Sequence, residues 1–244
     1  MKTTILLTTA VMAATSFANA AVITTVSTEL SALGGSNTQT QVLDPAGATI
    51  AITQGSTTDG GADQTLIFTV SGLTLDSFGA GDDSLVINLQ LSATSSLDTV
   101  SGIGRSFEAW GVNNSLIDVG ETLTFSMGTA QVNLGAGTTD IVESVVFNGF
   151  TGFDLLNVGA GETFDITGTD NSDATGVSIS QNQGYLLGGG EQEQSFTYVA
   201  SGTGGMRIYE VTNSFTVTTT AVPEPSSVAL LGFGGLALVM RRRR

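Results

Sequence analysis

The side chains best placed to do chemistry in this chain are its acids, because almost everything that usually works with acids is missing. The 244 residues contain no His and no Cys. That removes the commonest zinc and copper ligands, the Ser-His and Cys-His nucleophile pairs and any imidazole proton shuttle. The only lysine is Lys2 and there is no Gly-x-x-x-x-Gly-Lys-Ser/Thr loop, so a phosphate-cradling nucleotide hydrolase is excluded. Gly-x-Ser-x-Gly is absent as well. Two uses of carboxylates stay open. Calcium takes oxygen donors from Asp, Asn and backbone carbonyls in turns, which makes Asp82-Asp83 and Asp170-Asn171-Ser172-Asp173 the candidate sites, with Asp82, Asp83, Asp170 and Asp173 as ligands. Neither cluster fits the EF-hand loop or the Gly-Gly-x-Gly-x-Asp repeat, and acids in turns are ordinarily just solvated. A pair of carboxylates facing each other across a cleft would suit glycoside hydrolysis, but no pair is singled out. For sugar stacking the rings with polar handles are Trp110, Tyr185, Tyr198 and Tyr209. Trp110 and Tyr198 fall in strand-like stretches, where the core is the expected home.

Charge narrows the partners. Five of the seven basic residues, Lys2 and Arg241 to Arg244, lie at the extreme ends. Between Ala21 and Thr220 the cations are Arg105 and Arg207; of the 22 acids only Glu224 lies outside that stretch, leaving 21 and a net charge of −19. Such a surface repels phosphate backbones, so no nucleic acid is expected as a partner. It suits divalent cations and a hydrated, exported existence.

The elements that must carry these residues read as strands. Charged residues are 12% of the chain and Gly numbers 32, a composition of strands and turns. Residues 85–91 alternate, with Leu85, Ile87, Leu89 and Leu91 on one face, and 121–127 place Leu123, Phe125 and Met127 against Thr122, Thr124 and Ser126. Further strands are predicted at 22–29, 48–54, 65–71, 140–147, 163–167, 176–180, 194–199 and 206–217, with turn-rich patches at 55–63, 78–83 and 188–190. Ten or eleven short strands without an amphipathic helix predict an all-β, antiparallel, jelly-roll-like sandwich over 21–220. A β-solenoid is the alternative, but only one repeat pair is present. It consists of 116–126 and 155–167, each an apolar element, an Asx-Val-Gly turn and a strand opened by Glu-Thr.

Both ends read as sorting signals. Met1-Lys2 supplies a positive start and residues 3–17 an apolar stretch. Ala18-Asn19-Ala20 gives the small-x-small pattern that signal peptidase cuts before Ala21, making 1–20 a signal peptide. At the other end, Val222-Pro223-Glu224-Pro225 precedes an apolar run over 228–240 and then Arg241, Arg242, Arg243 and Arg244. Thirteen residues at about 1.5 Å each make a helix of roughly 20 Å, marginal against a ~30 Å hydrocarbon core. The arginines hold that end on the cytoplasmic side. Pro223 and Pro225 lack an N–H and keep the helix from propagating backwards.

Residues 221–244 resemble the PEP-CTERM sorting signal of bacteria that make exopolysaccharide. The resemblance implies recognition by an exosortase, a membrane-embedded protease that removes the tail near Pro-Glu-Pro, after transient anchoring in the inner membrane. Gly111-Val112-Asn113 followed by Ile117-Asp118 and Gly120-Glu121-Thr122-Leu123-Thr124-Phe125 is similar to a stretch found in ectodomains that carry this tail. The expectation is a non-enzymatic structural protein of the cell surface or extracellular matrix. Its partners would be signal peptidase, exosortase and exopolysaccharide, with no cofactor other than calcium. A calcium-assisted polysaccharide-binding module and a polysaccharide-modifying hydrolase are the rivals.

Overall fold

The structure is a computed structural model that describes residues 21–32, 38–43, 48–58, 61–76, 81–106, 109–113, 116–136, 138, 140–168, 173–179, 183–189, 192–202, 205–222 and 234–235. The described residues form β1 (Ala21–Ser31), β2 (Thr38–Leu43), β3 (Ala48–Thr58), β4 (Asp63–Leu73), β5 (Asp83–Ser95), β6 (Ile103–Ser106) and β7 (Ala109–Val112). They continue with β8 (Glu121–Asn133), β9 (Ile141–Leu156), β10 (Glu162–Gly168), β11 (Ala174–Val177), β12 (Gly184–Leu186), β13 (Ser195–Gly202) and β14 (Arg207–Thr220).

The strands make two antiparallel sheets packed face to face, an all-β sandwich rather than a barrel or a solenoid. The larger sheet has the order β11-β10-β13-β8-β5-β4-β3-β2 and the smaller β12-β9-β14-β7-β6, with β1 also paired to β14. In the larger sheet the alternation seen in sequence becomes the wall of the core. Leu85, Ile87, Leu89 and Leu91 are buried, and Val86, Asn88 and Gln90 on the same strand face outward. The smaller sheet answers with Val26, Leu30, Phe150, Phe153, Val211 and Phe215.

A chain of rings joins the two sheets. Trp110 meets Phe125 edge-on at 5.4 Å, Phe125 stacks on Phe196 at 5.1 Å, and Phe196 stacks on Phe153 at 5.4 Å. Tyr198 stacks on Phe164 and meets Phe153 edge-on. Each ring pair adds about 0.5–1.5 kcal/mol to the value of burial itself.

The first and last of these strands are neighbours. β1 pairs with β14 over its whole length in unbroken register, from Ala21↔Thr220 to Ser31↔Glu210. β14 therefore lies inside its sheet, between β9 on one side and β1 and β7 on the other. Its Thr220 end and its Arg207 end define the two poles of the sandwich.

Candidate functional site

Of the calcium candidates, Asp82 is exposed and Asp83 is fully buried at the Thr220 pole. Asp83 opens β5, and its carboxylate gathers backbone donors from two other segments. Oδ2 accepts from the N–H of Leu75 at 2.6 Å and of Asp76 at 3.3 Å, and Oδ1 accepts from the N–H of Gly135 at 2.8 Å. Thr219 on β14 donates to the carbonyl of the same Leu75 at 2.6 Å, so Asp83, Leu75 and Thr219 bind the two sheets together. Asp83 is a clamp whose two oxygens already hold three N–H groups. Asp173 has a similar local task, accepting from the N–H of Gly168 at 3.0 Å across the β10–β11 connection. Asp170 lies outside the described residues. Among the described residues no three acids are gathered as a metal would require.

The repeat pair builds the opposite pole. In each copy a four-residue turn precedes the strand, at 118–121 and 159–162, with Gly120 at φ +87° and Gly161 at φ +81° in its third position. That is the position of a type II turn that favours Gly. The Glu at the fourth position then folds back. Oε2 of Glu121 accepts from the N–H of Asp118 at 2.8 Å, and Oε2 of Glu162 accepts from the N–H of Gly159. The two turns converge on Gly205, which donates its N–H to the Ile117 carbonyl at 3.0 Å and accepts from Asn157 Nδ2 at 2.7 Å. The similarity of the copies thus reflects one turn chemistry used twice.

Asn113, in the left-handed region at φ +50°, is the hub of this pole, and sequence reasoning gave it no role. Its Oδ1 accepts from the N–H and the hydroxyl of Ser101, at 2.7 and 3.0 Å. Its Nδ2 reaches Glu121 Oε1 at 3.2 Å and the Asp98 carboxylate at 3.4 Å. Burial pushes the Glu121 carboxyl above its ordinary value, and the Asp118 and Asp98 carboxylates push it further; the Asp118 N–H and Asn113 pull the other way. Because both Glu121 oxygens are engaged by N–H donors and the side chain is buried, this acid holds a turn and offers no exposed carboxylate. The one signal for Asn113 in the sequence is its place beside turn residues, where Asn tolerates positive φ.

The rings considered for sugar stacking divide. Trp110 and Tyr198 are fully buried, as expected for core strands. Burial pushes the Tyr198 phenol well above its ordinary value, and its hydroxyl donates to Met206 Sδ at 3.2 Å. Tyr185 is half-buried against Phe153 and Phe164, at 5.4 and 5.3 Å. Tyr209 is half-buried on β14. No open aromatic platform results from these four.

What the larger sheet turns outward is hydroxyl and amide. Thr94 pairs with Thr122 at 2.6 Å, Thr124 with Thr197 at 2.9 Å and Thr163 with Ser201 at 3.0 Å. Ser92 donates to Asp63 at 2.6 Å, beside a shallow hollow of about 310 Å³ bordered by Thr65, Gln90 and Ser126. These cross-strand pairs leave the face polar but locally satisfied.

Of the cleavage and sorting motifs, Ala21 and Val222 are described, and both lie at the Thr220 pole. Ala21 is the first residue of β1, and Val222 follows β14 by two residues. Ala18, Ala20, Pro223, Glu224, Pro225 and Arg241 to Arg244 lie outside the described residues; of the apolar run 228–240 only Gly234 and Gly235 are described, and they are helical and exposed. No curated protein and no solved structure matches the chain. Residues 221–244 match the PEP-CTERM protein-sorting motif, in agreement with the likeness read from Val222-Pro223-Glu224-Pro225 and its basic end, and this marks an exported, cell-surface protein processed by exosortase.

Proposed function

We propose that the domain is a non-enzymatic structural component of the cell surface or extracellular matrix, delivered by the exosortase route. The observation that carries this reading is the character of its outward face. Serine, threonine and amide side chains bond to one another across strands, and Trp110 and Tyr198 are withdrawn into the core. The acids with the most elaborate surroundings, Asp83 and Glu121, serve as acceptors for backbone N–H groups. Such a surface is strongly hydrated and suits contact with hydrated exopolysaccharide along a broad area rather than capture of one sugar in a pocket.

The test is the intact mass of the protein in three fractions of its native host, the cells, the extracellular matrix and the medium, with and without exosortase. The expected product begins at Ala21, ends at 223–225 only when exosortase is present, and partitions into the matrix. A product found wholly in the medium, or one retaining 228–244 in both strains, overturns the reading.

A further inference from the structure

The large apolar side chains that stay exposed are not scattered evenly. Among the described residues there are seven, and four of them, Ile23, Ile141, Val142 and Val146, pair with residues 216–220 of β14. Directly paired residues of an antiparallel sheet share a face. Ile23, Ile141 and Val146 therefore stand on the outer face of the smaller sheet, with Thr216, Thr218 and Thr220 between them. Val142 is opposite buried Thr219 on the core side, yet 37% exposed at the open end of the sandwich. No charged residue is paired into the three outward rows. Glu143 falls in the register shift between Thr218 and Thr219 and pairs with no residue of β14. Asp76, Asp83 and Asp140 at this pole are buried, and exposed Asp82 precedes β5 in the other sheet.

We infer that this face is a membrane-contact surface. While the apolar run 228–240 is held in the bilayer, the outer face at the Thr220 pole rests on the lipid headgroups, with Ile23, Ile141 and Val146 dipping among them, and cleavage at 223–225 releases it. The inference rests on the exosortase route.

Chain length names the occupant. Seven residues separate Thr220 from Val228, so the two are at most about 29 Å apart. β14 is fourteen residues long and carries the opposite pole about 45 Å farther away. A short tether gives an effective concentration in the millimolar range, enough to occupy a face too weak to bind lipid untethered. Charge points the same way. A domain with a net charge of −19 approaches a headgroup layer at least cost through a neutral strip, and apolar side chains settle at the headgroup-acyl boundary.

The test uses the precursor isolated from a host strain lacking exosortase and reconstituted into phosphatidylcholine vesicles. The chain has no Cys, so one introduced cysteine carries the only fluorophore. Flotation with the vesicles first reads whether the tail is held. In the floated protein, labels at Ile23→Cys and Ile141→Cys are expected to shift to the blue and to be quenched by phosphatidylcholine spin-labelled at the headgroup. A label at Leu97→Cys, exposed beside the Gly120 turn at the opposite pole, should do neither. I23D/V146D in the Ile141→Cys background should abolish the quenching, and because both positions are exposed the melting temperature should not change. Removing the tail should abolish shift and quenching together. If the precursor floats while these labels stay in water, or if I23D/V146D leaves the quenching intact, so that the tether alone accounts for it, the contact is wrong and the exosortase route stands. A blue shift without quenching, as a second copy or the tail itself seated on the face would give, overturns the contact in the same way. A precursor that does not float overturns both.

Discussion

Asp83 and Asp82 are adjacent acids with opposite fates, and the difference lies in what reaches them. Asp83 accepts three backbone N–H groups from residues 7, 8 and 52 positions away, so removing its carboxylate leaves buried donors with no acceptor. Asp83→Ala is expected to lower stability by roughly 2–4 kcal/mol in urea unfolding, and Asp82→Ala to stay within about 0.5 kcal/mol. Glu121 makes a different prediction because its carboxyl is pushed above its ordinary value of 4.5, first by burial. The folded state then holds the proton more tightly than the unfolded chain, so as pH rises from about 4.5 through the raised value this group subtracts from stability. Measured against Glu121→Gln, which cannot ionise, the native protein should lose relative stability on going from mild acid to neutrality. A flat difference across that window would place the two N–H donors, and not the burial, in control of the carboxyl. None of Asp83's partners was legible in the sequence, because Leu75, Asp76 and Gly135 become its neighbours only when β4, β5 and β8 come together.

At the scale of elements, the two Gly-Glu turns allow the cost of backbone strain to be separated from the cost of crowding. A Cβ at Gly161 would meet nothing within 4 Å, whereas one at Gly120 would lie 2.7 Å from Ser96 Oγ and 3.1 Å from Leu97 Cγ. Gly161→Ala is expected to cost about 1 kcal/mol for its positive φ alone, and Gly120→Ala about 2 kcal/mol, as read from thermal melts. These turns could be seen in sequence because their chemistry is local. The strand at 85–91 could be seen for a related reason: an alternating run buried on one face announces its own period. β7 could not. Ala109, Trp110, Gly111 and Val112 are all buried, which erases the alternation. β12 is three residues, and β2 reads Thr-Gln-Thr-Gln-Val-Leu with no apolar face along most of its length. The strand predicted at 140–147 extends to Leu156, because β9 follows β14 through four register shifts and so runs on past Asn148-Gly149.

Across the whole molecule, the smaller sheet is organised around β14, which touches β9, β1 and β7 and reaches over to the larger sheet through Thr219 and Leu75. Inside that frame Thr28 on β1 donates to Asn213 on β14 at 2.8 Å, across 185 residues of sequence. Ribosomes make β1 early and β14 late, so the strand made first finds its partner in the strand made last. Loop closure costs more as the loop lengthens, and sheets dominated by distant pairings assemble slowly. Until β14 arrives, β1 lacks the strand it pairs with over its whole length. The register Ala21↔Thr220 thus makes completion of the fold a late event that needs the entire domain on one side of the membrane, and the interval before it is when the chain most needs its dense negative charge to keep copies apart.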